Sequence, residues 1–274
     1  MFIFFGSPRF AEIILEKLIE SGHTPAAVVC NPDKPYGRKK TMTPPPVKLL
    51  AQKHHIPVFQ FEKISQTNAV DLPPAEFAIV AAYAHIIPQY VLDMFPKGVI
   101  GVHPSLLPLY RGASPIQSVL LDGISHTGVS LYRMDEKMDH GPILAQKEVS
   151  VDENDGYISL EEKLAHVAGI MLGELLPTYN KETTKEYQQN HTKATFTKKF
   201  TTEDGRVDVV KDDPETIFHK IKALSPDPGV FTFIDGKRIK LLEVQKNSDG
   251  TYVITKILPE GKNVQKTNLH IPQE

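Results

Sequence analysis

The run Met1-Phe-Ile-Phe-Phe-Gly-Ser-Pro-Arg-Phe-Ala-Glu-Ile-Ile-Leu-Glu-Lys-Leu18, continued to Gly22, reads as strand, turn and helix. Met1 to Phe5 is apolar without interruption, as a strand covered on both faces must be. Gly6-Ser7-Pro8 breaks the strand, and Ala11, Ile14, Leu15 and Leu18 then recur at helical spacing. The same alternation continues outward. Ala26 to Cys30, Pro57 to Gln60, Phe77 to Ala82 and Val99 to His103 are short apolar strands, with helical stretches at Val47 to His54 and Ile87 to Met94 between them. Strands alternating with helices predict a doubly wound, mostly parallel α/β sheet.

Further along, Ile116 to Leu121 reads as a helix, Thr127 to Tyr132 and Ile143 to Val149 as strands, and Leu160 to Leu176 as a long helix. Residues 180–194 are polar and have no apolar period. We therefore expect a first domain over 1–183, a linker over 184–194 and a second domain over 195–274. In that last part Val230 to Ile234 and Arg238 to Val244 flank Asp235-Gly236, and Asp249-Gly250 precedes Tyr252 to Ile257. This hairpin pattern predicts a small meander or a small β-barrel of OB-like type.

Composition narrows the functional classes. The chain has 274 residues, 41% of them hydrophobic, enough for two cores. No stretch approaches the roughly 18 to 20 apolar residues of a membrane span, and Met1 to Gly6 is too short for a secretory core. A cytoplasmic location and no membrane partner are expected. Cys30 is the single cysteine, so no internal disulfide and no cysteine metal site can form, and metal dependence is not expected. The paired His54-His55 lack metal-ligand company and read as structural or exposed. There is no Walker loop and no Gly-x-Gly-x-x-Gly. The net charge is −2, with residues 191–274 slightly basic and the remainder slightly acidic, an asymmetry that ordinary solvated faces explain.

The most informative stretch is Gly98-Val-Ile-Gly-Val-His-Pro-Ser-Leu-Leu-Pro-Leu-Tyr-Arg-Gly-Ala-Ser-Pro115, where an apolar strand delivers His103 and breaks into a proline-rich loop. Ligands of open α/β sheets bind beyond the carboxyl ends of strands. A lone histidine there is more often structural than catalytic, yet here the neighbouring residues decide. His103 to Pro108 match, residue by residue, the Asn-x-His-Pro-Ser-Leu-Leu-Pro motif of the formyltetrahydrofolate-dependent transferases, and the chain resembles that family. A second family motif appears as Met134-Asp-Glu-Lys-Met-Asp-His-Gly-Pro142, which puts Asp139 on the family's catalytic aspartate.

Three further stretches resemble the transfer-RNA branch of this family. These are Gly6 to Ala11, the long loop Asn31 to Lys48, and Ala194 to Lys199 with Pro226-Asp-Pro-Gly229. The resemblance implies formyl transfer from 10-formyltetrahydrofolate to the amino group of methionyl initiator tRNA. It implies His103 and Asp139 as catalytic residues, with His103 donating to the developing oxyanion and Asp139 orienting it or relaying a proton. Ser105, Leu106, Leu107 and Pro108, with Ala84 and Ile86, would bound the folate pocket, although such apolar residues also fit plain core. A monomer is expected.

One departure matters. Where the family carries its asparagine, two residues before the histidine, this chain has Gly101. Losing one oxyanion donor costs roughly 10²–10³ in rate. Gly101→Asn is therefore expected to raise turnover, unless another group fills the role. Two rival readings follow: transfer to a small amine such as an amino sugar nucleotide, or a weakly active folate- or tRNA-binding relative. The chain also ends at Glu274, soon after Pro259 to Lys262 and without the family's longer tail, from which weaker RNA binding is expected. In the long loop, Lys34, Arg38, Lys39 and Lys40 face a single carboxylate beside Gly37. A charge run alone is usually solvated surface, but with the resemblance it is expected to contact tRNA phosphates.

Overall fold

An apolar strand with no polar face belongs in the interior of a sheet covered on both faces, and the first strand lies there. In the computed structural model, which describes residues 1–37, 40–69, 71–180 and 182–272, the elements up to residue 175 are β1 (Phe2–Gly6), α1 (Arg9–Glu20), β2 (Ala27–Cys30), β3 (Lys34–Tyr36), β4 (Thr41–Thr43), α2 (Pro46–Lys53), β5 (Val58–Gln60), α3 (Gln66–Ala69), β6 (Phe77–Ala81), α4 (Gln89–Leu92), β7 (Val99–His103), β8 (Arg111–Gly112), α5 (Pro115–Leu121), β9 (His126–Arg133), β10 (Ile143–Ser150) and α6 (Tyr157–Leu175). The main sheet has the order β10-β9-β7-β6-β1-β2-β5. β5, β2, β1, β6 and β7 run parallel, and β9 lies antiparallel to β7.

All five residues of β1 are buried. Phe4 has no exposed surface. Phe4→Ala is therefore expected to cost about 3–5 kcal/mol in a denaturant titration, from lost transfer energy plus a cavity. Helix α1 covers the sheet with Phe10, Ala11, Ile13, Ile14, Leu15 and Leu18. Gly6 lets it start close to the strands: a Cβ there would lie 2.6 Å from the Ala11 Cβ and 2.8 Å from the Ala81 carbonyl oxygen.

From β1 the strands progress to β2 and β5, then return to β6 on the other side of β1. The crevice at the carboxyl ends of β1 and β6 is thus a topological switch point, where such sheets hold ligands. The helix expected from Ile87 to Met94 is shorter, Gln89–Leu92, with Pro88 as its cap. Ile87 instead joins the core cluster of Ile3, Phe5, Tyr83 and Phe95. The basic loop contains an unforeseen hairpin, in which β3 pairs antiparallel with β4.

The chain divides into two compact units that are not contiguous in sequence. The first comprises Met1–Arg111, Gly128–Val149 and Glu162–Thr195. The second comprises Gly112–Thr127, Ser150–Glu161 and Phe196–Glu274. It adds β11 (Phe196–Thr197), α7 (Pro214–Leu224), β12 (Val230–Ile234), β13 (Lys237–Lys246), β14 (Tyr252–Pro259) and β15 (Gln265–His270).

β12 to β15 form a four-stranded antiparallel meander, with no ladder joining β12 to β15 among the described residues. The β12–β13 turn is the two residues Asp235 and Gly236, at φ 50 and 74, as the Asp-Gly pair requires for a hairpin of matching twist. Helix α7 lies outside the all-β expectation for this segment. Asp213 caps it by accepting from the Thr216 amide, and it buries Ile217, Phe218, Ile221 and Leu224. No helix among the described residues is long and apolar enough to cross a membrane.

Candidate active site

Because β7 is apolar up to its last residue, it carries His103 to the carboxyl edge of the sheet, where the residue is 5% exposed. The ring is held on both sides. Its Nε2 lies 2.8 Å from the Tyr110 carbonyl oxygen. A carbonyl can only accept, so Nε2 carries a proton and Nδ1 is the face turned to the site. Nδ1 lies 3.7 Å from Asp139 Oδ2, beyond a direct hydrogen bond but within ion-pair range. Asp139 sits at φ 49 in the loop after β9, so its carboxylate is placed by a turn in the left-handed region rather than by a regular element.

The loop after His103 is pinned by Ser105 and Ser130. The Ser105 hydroxyl donates to the Leu109 carbonyl at 2.6 Å, and Ser130 donates to the Ser105 carbonyl at 2.6 Å. Ser105 is fully buried and shapes the backbone from within. Leu107 is buried against Tyr132 and Ile143. Leu106 reaches the β9 backbone, where a Cβ added at Gly128 would meet its Cδ2 at 2.5 Å. Pro108 accepts from the Thr195 amide through its carbonyl at 3.3 Å. Ala84 and Ile86 are exposed, Ile86 at 89%, so the structure does not gather them into the buried cluster around Leu107.

Three buried polar atoms mark the neighbouring crevice. Among the described residues, Asn31 Oδ1, the Tyr83 hydroxyl and His85 Nε2 have no hydrogen-bond partner. They follow the carboxyl ends of β2 and β6, and the Tyr83 and His85 rings lie 5.4 Å apart. Burial pushes the Tyr83 hydroxyl up to about 12, and Cys30, itself raised to about 11 by burial, adds to the shift. Tyr83 thus keeps its proton and remains a donor near neutral pH.

Several site residues were not identified in the sequence. Tyr132 donates its hydroxyl to Asp139 Oδ1 at 2.8 Å. Gln189, from the stretch expected to be a linker, is 5% exposed and donates to the carbonyls of Asp139 at 3.0 Å and Gly141 at 2.7 Å. Arg111, 3% exposed, donates to Gln189 Oε1 at 2.5 Å and contacts His191 Nδ1 at 2.9 Å. His191 stacks on His140 at 4.0 Å, and burial with His140 and Arg111 holds His191 below its ordinary value. Residues 184–194 therefore belong to the first unit, where Gln189 braces the Asp139 loop.

The structure overturns the expectation for Gly101→Asn. β7 and β9 place Gly101 directly opposite Tyr132. A Cβ at position 101 would lie 2.4 Å from both Cε1 and Cζ of the Tyr132 ring. The space an asparagine needs is filled. Gly101→Asn is now expected to destabilise the fold by about 1–3 kcal/mol through overpacking, read from the urea midpoint, and to bring no gain in turnover.

In the basic loop, Lys34 and Lys40 are exposed, while Arg38 and Lys39 lie outside the described residues. The loop's carboxylate is already engaged: Asp33 accepts from Lys48 at 2.8 Å and from Gln60 at 2.8 Å. The hydrogen bond from Lys48 holds Asp33 below its ordinary value. A separate depression lined by Asp122, Gly123, Asp213, Thr216, His219 and Lys220 belongs to the second unit and shares no residue with the His103 site.

Residues 1–176 match the family model described as formyl transferase, and residues 199–265 match formyl transferase, C-terminal domain. Methionyl-tRNA formyltransferase of Chloroflexus aurantiacus is 38% identical over 256 residues, 92% of this chain and 82% of that protein. That of Thermotoga maritima is 40% identical over 245 residues, 88% of this chain and 78% of that protein. Among solved structures, methionyl-tRNA formyltransferase from Clostridium thermocellum superposes with a TM-score of 0.60 at 18% identity, covering 97% of this chain and 98% of that one. An N-formyltransferase from Helicobacter canadensis, solved with folinic acid and dTDP-3-aminofucose, gives 0.64 at 17% identity over 92% and 94%. At these identities the structural likeness is one of fold. With one family model over its first 176 residues and relatives near 40% identity across most of both chains, the chain belongs to the formyl transferase family, in the group of methionyl-tRNA formyltransferases.

Proposed function

We propose that this chain transfers the formyl group of 10-formyltetrahydrofolate to the amino group of methionyl initiator tRNA. The observation that carries the reading is His103 facing Asp139 at 3.7 Å, at the carboxyl edge of the sheet, in a chain 37–40% identical to proteins named methionyl-tRNA formyltransferase. The orphaned polar atoms of Asn31, Tyr83 and His85 fit a polar heterocycle. Bound there, the folate supplies an activated formyl group. Ser105 to Pro108 would form one wall, and Ala84 and Ile86 would meet the donor from the exposed side.

As the amine attacks the formyl carbon, negative charge grows on the formyl oxygen. His103 donates to that oxygen through a protonated Nδ1, its Nε2 proton being held by Tyr110. Asp139 takes the proton the amine releases, directly or through water, and a proton returns to the departing nitrogen as the old carbon–nitrogen bond breaks. Lys34, Arg38, Lys39 and Lys40, with the domain over 195–274, would hold the tRNA phosphates. This reading implies a cytoplasmic monomer.

The test is acceptor selectivity. We expect kcat/KM for methionyl-tRNA to exceed that for methionine methyl ester or an amino sugar nucleotide by at least about 10³, since binding of remote parts of a substrate drives its reacting end. Comparable values for a small amine would overturn the tRNA assignment and leave formyl transfer standing.

A further inference from the structure

We propose that Tyr132 is a positioning residue of this site: its hydroxyl, admitted by the absence of a side chain at position 101, holds Asp139 so that the second carboxylate oxygen faces His103. The inference rests on the formyl-transfer reading of the site and deepens it. Side chains two residues apart on a strand share a face. Gly101 and His103 therefore lie on one face of β7, and their partners across the antiparallel pair, Tyr132 and Ser130, lie on the matching face of β9. The Tyr132 ring lies over position 101 and carries its hydroxyl to Asp139, which it can do only if position 101 is empty. The 2.4 Å approach of the ring to the missing Cβ shows that it is.

The ring alone would be explained by the core it shares with Leu107 and Ile143. The hydroxyl is not, because a phenylalanine would fill the same volume without burying a polar group, and Tyr132 is only 4% exposed. That hydroxyl meets Asp139 Oδ1 at 2.8 Å, while Oδ2 faces His103 Nδ1 at 3.7 Å. Burial, then the Asp139 charge, holds the phenol well above its ordinary value. The phenol therefore keeps its proton, and the carboxylate is the acceptor. With Oδ1 so engaged and the main-chain carbonyl held by Gln189, the rotation of the carboxylate is set from two sides.

The test is Tyr132→Phe, which keeps the ring. We expect kcat for the best amine acceptor to fall about tenfold, the worth of one hydrogen bond to a charged group, with KM for both substrates unchanged and the melting temperature lowered by no more than about 2–4 °C. In an Asp139→Asn background the same change should cost less than twofold. The His103 ring resonances should move in Tyr132→Phe as they do in Asp139→Asn, a readout that needs no turnover. Gly101→Asn combined with Tyr132→Leu should melt above Gly101→Asn alone, because the two side chains compete for one space.

A wild-type chain inactive on methionyl-tRNA would overturn the acceptor assignment, while the resonances and melting order would still decide the role of Tyr132. Unmoved His103 resonances, an undiminished effect in Asp139→Asn, or kcat falling only in proportion to stability would each overturn it.

Discussion

His103→Ala is expected to lower kcat for formyl transfer by about 10²–10³ while the melting temperature falls by no more than about 2–4 °C. The rate loss is that of one donor aimed at developing negative charge. The small stability loss follows from what His103 does for the fold. Its ring makes one hydrogen bond, to the Tyr110 carbonyl at 2.8 Å, worth about 1 kcal/mol, and in a chain of this size 1 kcal/mol moves the midpoint by a few degrees. Paired measurements of kcat and thermal unfolding decide the matter. Losses of rate and stability in step would make the histidine a packing residue.

The second large effect concerns the basic loop. Replacing Arg38, Lys39 and Lys40 together by glutamine should reduce the slope of log affinity for methionyl-tRNA against log salt by about 2–3 units, because each phosphate contact contributes roughly 0.7–0.9. Affinity near 0.1 M salt should fall by at least about tenfold, while formylation of methionine methyl ester hardly changes. The loop is poised for this because its carboxylate, Asp33, is already bound by Lys48 and Gln60 and does not offset the remaining cations. An unchanged slope in filter-binding titrations would leave recognition to the second domain.

Much of this was legible from residue order. The apolar run Phe2–Phe5 needs a place inside a sheet, with a strand on each side, and β1 lies between β6 and β2. His103 at the end of Val99–His103, followed by a proline-rich loop, could only emerge at the strand's carboxyl edge. Asp235-Gly236 left little choice but a two-residue hairpin turn.

What escaped depended on register and on distant sequence. Gly101 reads as a lost donor until β9 is aligned beside β7, when Tyr132 falls opposite it. Gln189 sits in a polar stretch without period, and its burial follows from Arg111, 78 residues away. Helix α7 did carry a signal, Asp213-Pro214 followed by Ile217, Phe218, Ile221 and Leu224, which the hairpins downstream of it overshadowed. The second unit draws on three separate pieces of chain, an arrangement that local patterns do not encode.

The most direct measurement of the central claim is a single-turnover reaction of the purified chain with methionyl-tRNA and 10-formyltetrahydrofolate labelled in the formyl group, followed by mild alkaline release of the amino acid. The account predicts label recovered as formylmethionine with the wild type, and at least about 10² more slowly with His103→Ala. Label that stays with the folate in the wild-type reaction, or reaches methionine equally fast without His103, would contradict it.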